Sequence, residues 1–129
     1  MNRQASFAIR IGLLLLTLTG CSDIPSTNVM HSRKECLNNG GSLSHKLDAC
    51  DEAIRSHRFA GPRLADLYFM KGIHQQDAGR HIAAIFSFQQ ALKQNPRDSK
   101  VYYYLSLSQL RLGRFAAAQQ NFEAAHRLN

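Results

Sequence analysis

LADLYFMKGIHQQDAGRHIAAIFSFQQALKQN, residues 64–95, decides the fold, because 34 positions later the chain repeats its pattern as DSKVYYYLSLSQLRLGRFAAAQQNFEAAHRLN, residues 98–129. The identities at that offset are Tyr68/Tyr102, Gln75/Gln109, Gly79/Gly113, Arg80/Arg114, Ala83/Ala117, Ala84/Ala118, Phe88/Phe122, Ala91/Ala125 and Asn95/Asn129. Nine matches in 32 positions stand against roughly two for unrelated segments of ordinary composition, so one segment duplicates the other. A fixed period of this length marks units that cannot bury an apolar face alone and must stack. Inside the first unit, apolar residues recur at helical spacing over 64–76 and again over 81–94, with Asp77-Ala78-Gly79-Arg80 between them. Gly79 and Gly113 stand where a helix end takes positive φ, which a side chain would oppose by about 1 kcal/mol. Small residues mark close helix approach: Gly72 and Ala84 in one copy, Ser106 and Ala118 in the other. Tyr68, Phe88, Tyr102 and Phe122 are the expected apolar mass, and Pro96 stops one helix between the units. The expected fold class is all-α, with antiparallel helical hairpins stacked as a short solenoid.

These intervals resemble the tetratricopeptide repeat: an aromatic early in the first helix, Gly72, the turn glycine, then Ala84, Phe88, Ala91 and Pro96. The second copy keeps Tyr102, Leu105, Gly113, Ala118, Phe122 and Ala125 and departs at Ser106. The resemblance assigns one repeat to residues 63–97 and a second to 98–129. It extends upstream to Ala49-Cys50-Asp51-Glu52-Ala53-Ile54, which looks like the end of a preceding second helix. Leu47, Cys50, Ala53 and Ile54 share one face of an amphipathic helix running from Lys46 to near Arg58, before Ala60-Gly61-Pro62. Residues 33–62 therefore read as an N-terminal hairpin of degenerate repeat type.

The first 20 residues read differently. Arg3 and Arg10 precede the apolar run Ile11-Gly12-Leu13-Leu14-Leu15-Leu16, and small residues follow, which is the order of a secretory signal. The run is too short to span a bilayer, which takes about 20 apolar residues. Leu18-Thr19-Gly20-Cys21 resembles the bacterial lipobox, which implies cleavage before Cys21, its acylation, and anchoring in a membrane. Ser22 rather than aspartate after Cys21 favours the outer membrane, with the domain facing the periplasm. Residues 21–32 are polar and aperiodic, the expected lipidated and flexible tether. Export also sets the cysteine chemistry: with Cys21 acylated, Cys36 and Cys50 remain in an oxidising compartment, where pairing is the natural inference. Asn38-Asn39-Gly40-Gly41-Ser42 between them turns the chain and brings two short helices side by side. Two buried free thiols, or a metal pair with His45 or His57, are the alternatives. Exported proteins with similar repeats open in the same way, with two cysteines and an Ala-Cys-x-x-Ala-Ile helix, and that resemblance favours the disulfide.

The resemblance also implies a binding surface, an inner face built from the first helix of each hairpin. Its groove positions fall on Asp66, Phe69, Ile73 and Gln76 in one repeat and on Lys100, Tyr103, Leu107 and Leu110 in the other, with Arg111 at the rim. Half of this stripe is apolar, which suits a peptide or helix from a protein partner. Ile73 and Leu107 replace the asparagine with which relatives grip a C-terminal carboxylate, so that activity is not implied. The last helix, expected over 116–128, leaves Phe115, Gln119, Ala124 and Leu128 as a second candidate interface, for self-association or a partner helix.

Other function classes have little support. Removing Arg3 and Arg10 from 16 basic residues leaves 14 against nine acidic ones, a formal charge of +5. Those charges are scattered singly, which with export speaks against a nucleic-acid partner. Histidines at 31, 45, 57, 74, 81 and 126 form no constellation with a carboxylate and a nucleophile, and no glycine-rich phosphate loop is present. No enzyme, metal or cofactor is expected. The sequence reads as a membrane-anchored interaction scaffold or assembly factor of the bacterial cell envelope. Its rivals are a lipoprotein that binds cell wall or anionic glycan, and an accessory subunit of a larger pilus or secretion complex.

Overall fold

A computed structural model of the chain describes residues 26–38 and 40–129. The expected signal segment, Cys21 and the start of the tether lie outside the described residues. Six helices follow one another: α1 (Ser26–Leu37), α2 (Leu43–Arg55), α3 (Pro62–Asp77), α4 (His81–Gln94), α5 (Ser99–Arg111) and α6 (Phe115–Leu128). There is no strand among the described residues, and none of these helices is long and apolar enough to cross a membrane. Consecutive helices pack in pairs, α1 on α2, α3 on α4 and α5 on α6, and α2 to α3 and α4 to α5 join the pairs. The result is the all-α stack of hairpins that the repeat implies.

Local chemistry sets each boundary. Ser42 caps α2 by accepting from the amide of His45, and Asp98 caps α5 by accepting from the amide of Lys100 at 3.0 Å. Pro62 opens α3 at a position where its missing N–H has no helical partner to lose. The turns after α3 and α5 are copies of each other. Gly79 and Gly113 take φ of 71° and 70°. The amide of Arg80 reaches back to the Gln75 carbonyl at 2.8 Å, and that of Arg114 to the Gln109 carbonyl at 2.9 Å. This pattern closes a helix through a left-handed residue, which is why both copies keep glycine there.

The stretch 21–32 is not tether throughout, since α1 begins at Ser26 and buries Val29 and Ser32 completely or nearly so. Its inward face alternates apolar and polar residues, and Ser32 is held there by donating to Glu52 Oε2 on α2 at 2.7 Å. The second helix of this hairpin also starts earlier than its apolar period suggests, at Leu43, because the Ser42 cap can form as soon as the glycine turn ends. Cys36 and Cys50 are fully buried and joined in a disulfide with Cα atoms 4.6 Å apart. Closing that loop contributes about 3 kcal/mol in the chain-entropy picture.

Two apolar clusters meet on α3. One gathers Val29, the disulfide, Ala49, Ala53, Phe59 and Leu67; the other gathers Ala84, Ile85, Phe88, Ala91, Val101 and Leu105. Leu67 faces the first, while Tyr68, Phe69 and Ile73 pack on the second, so α3 is the shared wall of both. His74, almost wholly buried, donates its Nε2–H to the Cys36 carbonyl at 2.9 Å and ties α3 to the disulfide hairpin. Lys71 of α3 pairs with Asp51 of α2. Of the four aromatics expected as core, Phe88 is fully buried and Tyr68 packs against its cluster, but Phe122 is 55% exposed. Phe88 is covered by α5, and no described element lies over Phe122 in the corresponding place.

Candidate partner-binding groove

The groove positions expected on the first helix of each hairpin lie on α3 and α5, and the two helices expose them unequally. Phe69 stands against Phe88 (ring centroids 5.9 Å apart) and edge-on to Tyr104 (5.4 Å), and Ile73 packs on the same cluster. Gln76 donates to the Tyr104 carbonyl at 2.9 Å and to Ser108 Oγ at 2.6 Å. These three groove positions of the first repeat therefore hold the second repeat in place, each half-buried. Their partner Tyr104, which the sequence reading passed over, is the residue through which both contacts run. Its signal was the unbroken run Tyr102-Tyr103-Tyr104, of which helical geometry turns only one ring toward α3.

The α5 half is open. Tyr103 is 43% and Leu110 51% exposed, Leu107 is half-buried between them, and Lys100 and Arg111 are exposed at the two ends of the helix. Lys100 Nζ lies 5.8 Å from the centre of the Phe69 ring, a cation over an aromatic face, and Asp66 is exposed on α3. Tyr103 is edge-on to Tyr104 at 5.5 Å and 6.4 Å from the ring of Phe122. Between α5 and α6 these rings line a depression of about 430 Å³ together with Lys100, Ala125 and His126. It combines aromatic walls with the Lys100 ammonium at one end, a setting that suits an apolar side chain beside a carboxylate.

On α6, Phe115 is 69% exposed, Gln119 donates to Glu123 at 3.0 Å, and Ala124 and Leu128 are half-buried. Phe122 belongs with this surface, and repeat matching concealed it because its partner in the first repeat is core. A further apolar patch lies on α4, where Ile82 and Phe86 are exposed above a groove of about 550 Å³ shared with Arg80, Ala83 and Leu112. The duplication itself marked it: the second repeat has Ala116 and Gln120 at those two places. Among the described residues no three of His, Cys, Asp and Glu are grouped closely enough to hold a metal ion.

Comparison with known proteins agrees with this architecture. Residues 87–120 match the family model of the tetratricopeptide repeat, a window of one 34-residue period that begins in α4 and ends in α6. No curated protein matches the chain significantly. Among solved structures, an Arg-to-Glu mutant of MamA superimposes with a TM-score of 0.69 at 20% identity, over 83% of this chain and 76% of that one. An Asp-to-Lys mutant of MamA gives 0.61 at 20% identity, over 79% of this chain and 54% of that one. At that identity the likeness is one of fold. The described residues form an all-α, tetratricopeptide-like solenoid of three stacked hairpins, with the repeat itself matched across α4 to α6.

Proposed function

We propose that this protein is a lipid-anchored adaptor of the bacterial cell envelope that holds a protein partner in the groove along α5. One observation carries the reading: Tyr103, Leu107 and Leu110 form an accessible apolar strip with Lys100 and Arg111 at its ends, on the inner face of a helical stack. An anchored aromatic flanked by cations is the composition of an interface centre, and exposed surface of this kind otherwise costs solubility. The envelope assignment draws on the lipobox-like Leu18-Thr19-Gly20-Cys21 and on the buried Cys36–Cys50 disulfide, which suits an oxidising compartment. The outer membrane is the favoured site of the anchor, and an assembly or stability role in a larger envelope complex is the favoured task.

The test is crosslinking and affinity capture from envelopes, comparing the native chain with Tyr103→Ala/Leu107→Ala after both are shown to be folded. Loss of one specific protein from the variant supports the groove. An unchanged partner moves binding to the α6 surface around Phe115 and Phe122, which is the second reading and makes the chain a self-associating or accessory subunit. Salt-sensitive retention on purified cell wall, with no protein captured, would replace both readings with glycan binding.

A further inference from the structure

Five arginines crowd one edge of the stack. Because successive helices pair antiparallel, the start of α1, the loops 56–61 and 95–98 and the end of α6 all lie at the same edge. That edge presents Arg55, Arg58, Arg63, Arg97 and Arg127, every one exposed. Arg55 donates to the Asp51 carbonyl in its own helix, and none of the five enters an ion pair among the described residues. The acidic residue in these loops, Asp98, is already engaged as the cap of α5. Guanidiniums are weakly hydrated and match phosphate oxygens in a two-pronged fashion. Here they are spread over two loops and three helix ends rather than gathered in a cleft, so they suit a broad planar array of anions better than a single acidic peptide.

The position of α1 says which surface that is. Ser26 is five residues from Cys21, so an acyl chain on Cys21 stands within about 18 Å of this edge even with the intervening residues fully extended. The opposite edge, with the turns at Gly79 and Gly113, is farther by a helix length of about 20 Å. We propose that the arginine edge rests on the headgroup phosphates of an anionic phospholipid bilayer, with the acyl chains of Cys21 inserted beside it. The helices then stand on end, and the groove along α5 opens sideways, accessible to a partner in the same envelope layer. This inference rests on the reading of Cys21 as lipidated.

The test uses full-length protein isolated from membranes in detergent and reconstituted into vesicles of phosphatidylcholine, alone or mixed with phosphatidylglycerol. Intact mass reports acylation of Cys21, and backbone hydrogen exchange reports which edge is covered. In the anionic vesicles, exchange at 56–61 and 95–98 is expected to slow about threefold or more relative to neutral ones, an effect weakened by salt. Arg58→Glu/Arg63→Glu/Arg97→Glu abolishes that protection, whereas the matched reversal Arg80→Glu/Arg111→Glu/Arg114→Glu at the other edge preserves it. Unchanged exchange of both variants in neutral vesicles shows that each is folded. Equal protection in neutral and anionic vesicles, or protection at 78–80 and 112–114 instead, overturns the proposal. So does equal slowing of the same loops by polyglutamate, which would make the edge a site for acidic polypeptide. An unmodified Cys21 refutes the anchor separately, and the exchange pattern still decides the edge.

Discussion

Gly72 and Ser106 hold equivalent places in the two repeats and meet opposite demands. A Cβ on Gly72 would lie 2.4 Å from the ring of Phe88, which is itself fully buried and has nowhere to retreat. At Ser106 the corresponding ring, Phe122, is exposed, and the serine side chain fits, its Oγ donating to the Tyr103 carbonyl. Gly72→Ala should therefore destabilise by about 1–3 kcal/mol through overpacking, while Ser106→Ala changes stability by less than about 1 kcal/mol. Urea denaturation of the two variants checks this, and equal midpoints would show that the first repeat is not packed as described. Gln76 gives a second residue-scale prediction. As a mere groove residue its loss would leave stability unchanged, but its bonds to Tyr104 and Ser108 make Gln76→Ala cost about 1–2 kcal/mol. At this scale the sequence exposed residue types better than their duties: Phe69, Ile73 and Gln76 were legible as groove positions, yet their use in joining the repeats depends on how α5 lies against α3, which puts the Tyr104 ring on Phe69 and the Tyr104 carbonyl and Ser108 hydroxyl within reach of Gln76.

Among the elements, α1 was the hardest to read. Its inward residues are Val29, Ser32 and Cys36, so its middle contact is a hydrogen bond to Glu52 rather than apolar packing, and hydrophobic periodicity has little to register. The duplicated helices were legible because α3, α4 and α5 each bury an apolar face against the next helix, and the turn glycines fixed the ends of α3 and α5. A helix so polar depends on its covalent tie. Reduction of Cys36–Cys50, or Cys36→Ala/Cys50→Ala, is expected to cost about 2–4 kcal/mol, and α1 should lose protection first. Hydrogen exchange with and without reductant tests this: α1 and the turn before α2 should open well before α4 and α5. Simultaneous loss across all six helices would mean that the hairpin is integral to the repeat core rather than docked through α3.

For the whole molecule, a 34-residue period implied stacking, and the structure supplies it in the successive pairing of α1 to α6. What the period could not give is the difference between two copies of one unit. Phe88 and Phe122 are identical in sequence and opposite in exposure, because α5 lies over the first and no described element lies over the second. Ile82 and Phe86 likewise have no counterpart in the second repeat, so averaging the copies hides the patch that they form. The described residues thus offer apolar surfaces on α5, α6 and α4. The central claim is that α5 carries the partner. It is tested most directly by a photoreactive phenylalanine analogue placed at Tyr103 in one chain and at Phe86 in another, followed by irradiation of intact envelopes. Adduct formation with one defined protein from position 103, and none from position 86, is the expected result. The same adduct from position 86 with none from position 103 would contradict the claim and place the interface on the outer face of α4.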